Sequence, residues 1–218
     1  MTKNIIIIGA VGNCIDILDT INRINAACLE TDYRCLGFLD DDKKRWGTTV
    51  MGLEVLGGIS SASKFGDCSF INGIGSSKTF HRKRDIIEKT GVATNRFETI
   101  IHPTASISPT ARLGKGVVVF QNVTITTNVT IEDHVCILPN SVISHDCTIG
   151  NYSCVAGGAI ICGNVTIGEL CYIGAGSSIR EGCSIGNGCL VGMGSVVIDN
   201  VKNDLVIAGN PAQRIKRG

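Results

Sequence analysis

From Ile101 to Val197 every sixth residue is aliphatic: Ile101, Ile107, Leu113, Val119, Ile125, Ile131, Ile137, Ile143, Ile149, Val155, Ile161, Ile167, Ile173, Ile179, Ile185, Val191 and Val197. If about a quarter of an ordinary chain is aliphatic, chance gives such a run with odds on the order of 10⁻¹⁰. Two residues before each rung from Ile107 onward stands only Ala, Val, Ser or Cys, and Gly follows many rungs, as in Leu113-Gly114, Ile149-Gly150, Ile167-Gly168 and Ile173-Gly174. A period of six fits neither an amphipathic helix nor an ordinary hairpin. It fits a solenoid of triangular coils, three hexads to a coil. The spacing therefore predicts an uninterrupted all-β parallel helix over residues 99–202, closed by a tail at 203–218 that carries Ala208-Gly209-Asn210-Pro211-Ala212. A solenoid has open ends to protect, and the preceding domain and this tail are expected to cover one each.

Residues 1–98 have a different rhythm. Ile5 to Ile8 reads as a buried parallel strand, Gly9-Ala10-Val11-Gly12-Asn13 as a turn, and Ile15, Leu18, Ile21 and Ile24 as the apolar face of a helix. Leu36 to Leu39 is a second strand ending at Asp40-Asp41-Asp42, Phe70 to Ile74 a third, and Lys78 to Lys89 a second helix stopped by Gly91. The order β, α, β, β, α predicts a small α/β domain with a parallel sheet and ligand-binding loops at its strand ends.

Net charge is +1 with Lys and Arg scattered, which argues against a nucleic-acid groove or a membrane-binding face; the Arg214–Arg217 end reads as a solvated terminus. No stretch approaches the roughly 20 apolar residues of a membrane span, and the Ile5–Ile8 run meets Gly9 and Gly12 rather than a cleavage site, so a cytoplasmic protein is expected. The chain has 11 Cys, an odd count concentrated on the ladder, which reads as small apolar residues rather than a disulfide framework. Cys136 and Cys154, and Cys171 and Cys189, are each one coil apart, about 4.8 Å between backbones, and are expected to stack reduced. No zinc spacing appears, so no metal site is expected. Asn122, Asn128, Asn151 and Asn164 head glycosylation-like triplets, but they fall at repeat corners, where Asn tolerates a left-handed backbone.

His145-Asp146 is the sharpest chemical constellation. It follows rung Ile143 where the chain rounds a corner, so both side chains can point outward, and a carboxylate beside an imidazole fixes its tautomer and supports its basicity. A solvated polar corner is the competing account. His81, His102 and His134 read as surface residues, and Arg82-Lys83-Arg84 as a solvated helix face. Gly9-Ala10-Val11-Gly12 would let a phosphate or sugar approach a helix N-terminus, although a third glycine is missing. Asp40 and Asp41 end the next strand, either to meet a sugar hydroxyl or amine or simply solvated.

The hexads, the His145-Asp146 corner, the glycine turn and the Gly209-Asn210-Pro211-Ala212 tail together resemble the hexapeptide-repeat sugar acetyltransferases with an N-terminal Rossmann-like domain. These include the bacillosamine-pathway N-acetyltransferases of UDP-linked 4-amino-4,6-dideoxy sugars, GDP-perosamine N-acetyltransferase and the sialic acid O-acetyltransferases. The resemblance implies a left-handed β-helix, a homotrimer, and acetyl-CoA in the groove between neighbouring solenoids. It implies His145 as general base, Asp146 as its orienting carboxylate and the Gly163 N–H as oxyanion donor. Cofactor contacts carry over onto Cys154, Ala175 and Met193, and contacts to a nucleotide-sugar substrate onto Gly9, Val11, Gly12, Asn13, Asp40, Asp41 and Gly75. Many relatives have His in place of Cys154 and of Asn13. Within this reading an N-acetyltransferase leads, an O-acetyltransferase of sialic acid or a related nonulosonate is the alternative, and a non-catalytic solenoid module the bland one.

Overall fold

The computed structural model describes residues 2–27 and 32–215; Lys216 and Arg217 of the basic end lie outside them. The N-terminal domain contains β1 (Thr2–Ile8), α1 (Asn13–Ala27), β2 (Asp32–Leu39), β3 (Thr49–Val50), β4 (Leu53–Gly57), β5 (Ser69–Asn72) and α2 (Lys83–Lys89). Its sheet has the order β3-β4-β2-β1-β5, parallel except for the β3–β4 hairpin. Four consecutive isoleucines suit a strand covered on both faces. Ile5 and Ile7 pack with Cys14, Ile17, Leu18 and Ile21 of α1, whereas Ile6 and Ile8 pack with Leu39, Phe70, Ile87 and Phe97.

Three details differ from the sequence expectation. The buried stripe of α1 is Cys14, Ile17, Leu18 and Ile21, with Ile15 and Ile24 only half-buried. The β3–β4 hairpin had no sequence signal, because its two-residue turn is Met51-Gly52, both with positive φ (48° and 82°), where Asn-Gly is the usual pair. The second helix is shorter than expected: Phe80–Arg82 forms a 3₁₀ turn and α2 covers only Lys83–Lys89.

From Ile100–Ile101 onward the chain forms two-residue strands six apart, stacked in three parallel sheets. The first face carries Ile100–Ile101, Val118–Val119, Cys136–Ile137, Cys154–Val155, Tyr172–Ile173 and Leu190–Val191; the second runs from Ser106–Ile107 to Val196–Val197; the third from Arg112–Leu113 to Ser184–Ile185. Every corner from Gly116 to Gly194 places one residue at φ between 51° and 70°, again at intervals of six. Asn122, Asn128 and Asn164 fill such positions, as Asn tolerates the left-handed region. Asn151 does not: its side-chain oxygen instead accepts the Asp133 N–H at 2.9 Å, tying one coil to the next.

The rungs from Val119 to Val197 and the small residues before them make one continuous core. The inward Cys and Ser do the same job there. Cys147, Cys171 and Cys189 donate their thiols to the carbonyls of Cys162, Gly186 and Lys202, each at 3.0 Å, as Ser153 donates its hydroxyl to Gly168 at 2.8 Å. All ten described cysteines are free. Removing a buried rung by Ile→Ala would cost about 2–5 kcal/mol.

The N-terminal domain does not cap the end of the solenoid. It packs on the flank, against the outward residues of the first face: Ile100, Val118, Phe120, Cys136 and Cys154 share a core with Ile5, Ile7 and Cys14. The first rung, Ile101, is accordingly 38% exposed at an open end. The tail covers the other end as expected: Val206–Gly209 pairs parallel with Leu190–Val191, Ala212–Arg214 pairs back on it, and Ile207 joins the core.

Candidate active site at a solenoid corner

His145 and Asp146 occupy the corner between the second and third faces. Asp146 takes the left-handed position (φ 59°), which turns its carboxylate back along the edge. Asp146 Oδ2 meets His145 Nδ1 at 2.8 Å, and Asp146 Oδ1 accepts the side-chain N–H of Asn128, one coil earlier, at 3.2 Å. Those two hydrogen bonds, the histidine's first, hold the Asp146 carboxyl below its ordinary value. A carboxylate at Nδ1 places the ring proton there and leaves a lone pair on Nε2.

Nε2 is directed at Gly163, one coil further on: a β-carbon there would lie 2.6 Å from Nε2 and 2.5 Å from Cε1, so no other residue fits beneath the ring. The carbonyl of Gly163 accepts from Gly182. Its N–H donates to nothing among the described residues. A basic nitrogen and an unpaired N–H thus lie side by side on an exposed edge, the pairing needed to take a proton and to stabilise an oxyanion.

Ala175 and Met193 stack one coil apart on a different corner, between the first and second faces. Both are exposed, Met193 to 81%, and neither N–H has a described partner. The second face lies between that corner and the histidine edge, and it carries the exposed Ile160. Cys154 is elsewhere. It is fully buried under the N-terminal domain on the first face, with no surface left to touch a cofactor, contrary to the sequence expectation.

Gly9, Val11, Gly12, Asn13, Asp40 and Gly75 come together around one cavity of about 370 Å³ at the ends of β1, β2 and β5. Cys14, Ser76 and Thr79, which sequence reasoning missed, also line it. Burial pushes the Cys14 thiol up to about 12, so it is a neutral floor and not a nucleophile. Gly9, at φ 95°, admits the turn where a β-carbon would strike Cys14 Sγ at 2.6 Å. Asp40 braces this loop, accepting from the N–H groups of Ala10 (3.0 Å) and Asp42 (2.8 Å). Asp41 lies outside this cavity: it accepts from the Ile59 N–H at 3.2 Å and pairs with Lys89 at 2.7 Å.

Two expected surface histidines are buried. His102 bonds through Nδ1 with Thr104 at the domain border. His134 is 1% exposed, stacked on Tyr152 and edge-on to Phe97, with neither ring nitrogen bonded. The basic run is not simply solvated either, since Lys83 is buried and Arg84 pairs with Glu169 of the solenoid and lies over Tyr152.

The profile of the PglD N-terminal domain matches residues 4–89, and that of the bacterial transferase hexapeptide (six repeats) matches residues 128–163 and 164–199. A search of curated proteins gives no match. Among solved structures, the acetyltransferase domain of PglB from Neisseria gonorrhoeae in complex with acetyl coenzyme A is 26% identical (TM-score 0.82; 99% of this chain and 100% of that one covered). A histidine-to-asparagine mutant of perosamine N-acetyltransferase from Caulobacter crescentus, in complex with CoA and GDP-perosamine, is 26% identical (TM-score 0.83; 98% and 97%). WeeI from Acinetobacter baumannii is 27% identical (TM-score 0.82; 99% and 100%). The coils and the His–Asp corner therefore define a hexapeptide-repeat acyltransferase, its solenoid a left-handed β-helix. More narrowly, the chain belongs to the sugar acetyltransferases that join a PglD-type, Rossmann-like N-terminal domain to that helix.

Proposed function

We propose that the protein transfers the acetyl group of acetyl-CoA to the amino group of a nucleotide-linked 4-amino-4,6-dideoxy sugar. The observation that carries this reading is the His145–Asp146 pair with Nε2 beside the unpaired N–H of Gly163. The complexes of the similar PglB domain and perosamine N-acetyltransferase support the donor and the class of acceptor.

In this mechanism His145 Nε2 takes a proton from the sugar amine as its nitrogen bonds to the thioester carbonyl carbon. The carbonyl oxygen gains the negative charge and accepts the Gly163 N–H. Asp146 stabilises the imidazolium through Nδ1. When the tetrahedral intermediate collapses, the C–S bond breaks and the imidazolium returns its proton to the leaving thiolate. No covalent intermediate on the enzyme is needed. Ala175 and Met193 offer backbone N–H groups to the pantetheine along the open second face, where Ile160 gives it an apolar floor.

The site is shared between subunits of a homotrimer. In a triangular prism the His145 corner lies opposite the first face, and the first face is where this chain's own N-terminal domain sits. The cavity at Gly9, Gly12 and Gly75 therefore opens across the solenoid from its own His145, and the sugar it holds must meet the histidine of a neighbouring copy.

The test is a panel of UDP-, GDP- and dTDP-linked 4-amino sugars against free and CMP-linked sialic acids, each with acetyl-CoA and a thiol-release readout. Amide formation on one amino sugar is the expected result. Turnover of the sialic acids alone would make the enzyme an O-acetyltransferase.

A further inference from the structure

A second cavity, of about 540 Å³, lies on the far side of the Asp40–Asp42 loop. Its walls include Asp41, Lys43, Trp46, Gly58, Ser60 and Lys64. Trp46 is the single tryptophan of the chain and is 44% exposed, an unusual position for so large an apolar ring. It is held firmly: its indole N–H donates to the Asp40 carbonyl at 2.7 Å, and it packs so closely on Gly58 that a β-carbon there would stand 3.1 Å from the ring. Lys43 lies over the ring, its Nζ 6.0 Å from the centroid. A rigid aromatic face presented to a solvent-filled cavity is a stacking platform.

The position relative to the first cavity gives the platform a meaning. The sheet order is β4-β2-β1-β5, with the first cavity at the ends of β5, β1 and β2 and the second at the ends of β2 and β4. Neighbouring strands are about 4.8 Å apart, so the trough from Gly75 to Gly58 spans about 14 Å, the scale of an extended nucleoside diphosphate. Open parallel sheets bind nucleotides along such a line of strand ends.

We infer that the cavity at Trp46 is the nucleobase subsite, with the base stacked on the indole and the phosphates and sugar running past Asp40 towards Gly12 and Gly75. This rests on the nucleotide-sugar reading above and adds to it a residue and a preference. The polar side chains free to meet the base edge, Lys43, Lys64 and Ser60, offer mainly donors, whereas the Asp41 carboxylate is already paired with Lys89. The subsite should therefore prefer bases that carry ring carbonyls, namely uracil, thymine and guanine, over adenine.

Because Trp46 is the only tryptophan, its fluorescence reports on this cavity alone. UDP, dTDP, GDP and ADP are titrated into the full-length protein, with fluorescence and calorimetry read in parallel. At least one of the carbonyl-bearing nucleotides should quench the emission saturably and bind more tightly than ADP. Trp46→Ala should weaken its calorimetric Kd roughly 5- to 150-fold, the usual range for losing one base–aromatic stack. Trp46→Phe, which keeps an aromatic face, should lose much less. If calorimetry records binding while wild-type fluorescence does not move and Trp46→Ala binds as well as wild type, the base lies elsewhere and the inference fails with the nucleotide-sugar reading intact. If none of the nucleotides binds at millimolar concentration, that reading fails as well.

Discussion

The imidazole of His145 lies across the α-carbon of Gly163, so close that a single methyl group would stand 2.6 Å from Nε2. The contact joins residues one coil apart, so the solenoid's repeat sets the spacing between base and N–H. Gly163→Ala should push the ring off its line to the substrate and lower kcat on the order of 100-fold, since displacements of about 1 Å have that effect. Gly163 has no positive φ to satisfy, so the thermal midpoint should fall by only a few degrees. A kcat within threefold of wild type would show that the ring does not work from this position.

Asn128 reaches the site only through Asp146, at 3.2 Å. Its N–H helps hold the Asp146 carboxyl below the ordinary value, so Asn128→Ala should move that carboxyl's titration upward. Carbon-13 NMR of the carboxyl in wild type and variant reads this directly. An unchanged midpoint would remove Asn128 from the network.

His134 is buried and unbonded beside Phe97, Tyr152 and Lys83. Burial, with Lys83 adding to it, lowers its value to about 4. The unfolded chain then binds the proton more readily than the folded one at pH values between about 4 and 6.5, so stability is lost as pH falls through that window. The effect is on the order of 2–3 kcal/mol when complete. His134→Phe keeps a ring in the stack and cannot protonate, so urea midpoints between pH 4 and 7 should vary less than in wild type. Equal pH dependence in both would contradict the assignment.

Sharing of the site between subunits makes a quantitative prediction. Gly12→Asp tolerates the left-handed backbone (φ 57°) and sets a carboxylate where phosphates must pass, so it and His145→Ala should each be inactive alone. Randomly mixed trimers from equal co-expression should recover about a quarter of wild-type activity, the fraction of sites that draw an intact histidine and an intact cavity from different chains. A site completed within one chain would recover nothing.

The ladder made the solenoid legible because one residue in six must fill a prism of constant width, and the repeat then placed His145 and Gly163 on one edge. Six of the seven expected substrate residues, Gly9 to Asn13, Asp40 and Gly75, meet in one cavity because they end adjacent parallel strands. What stayed hidden was how the two domains meet. Periodicity gives no sign of which face is covered, so Cys154, His134 and Lys83 read as accessible and are buried at the seam. The short β3–β4 hairpin was likewise invisible, with Met51 in place of a usual turn former.

The most direct test of the account is the rate of thiol release from acetyl-CoA by His145→Ala on the best acceptor of the panel, with circular dichroism and sedimentation run on the same sample. A folded trimer whose kcat falls by roughly 10²–10⁴-fold is the predicted result, the usual contribution of a positioned base. A folded trimer that turns over at close to the wild-type rate would contradict it.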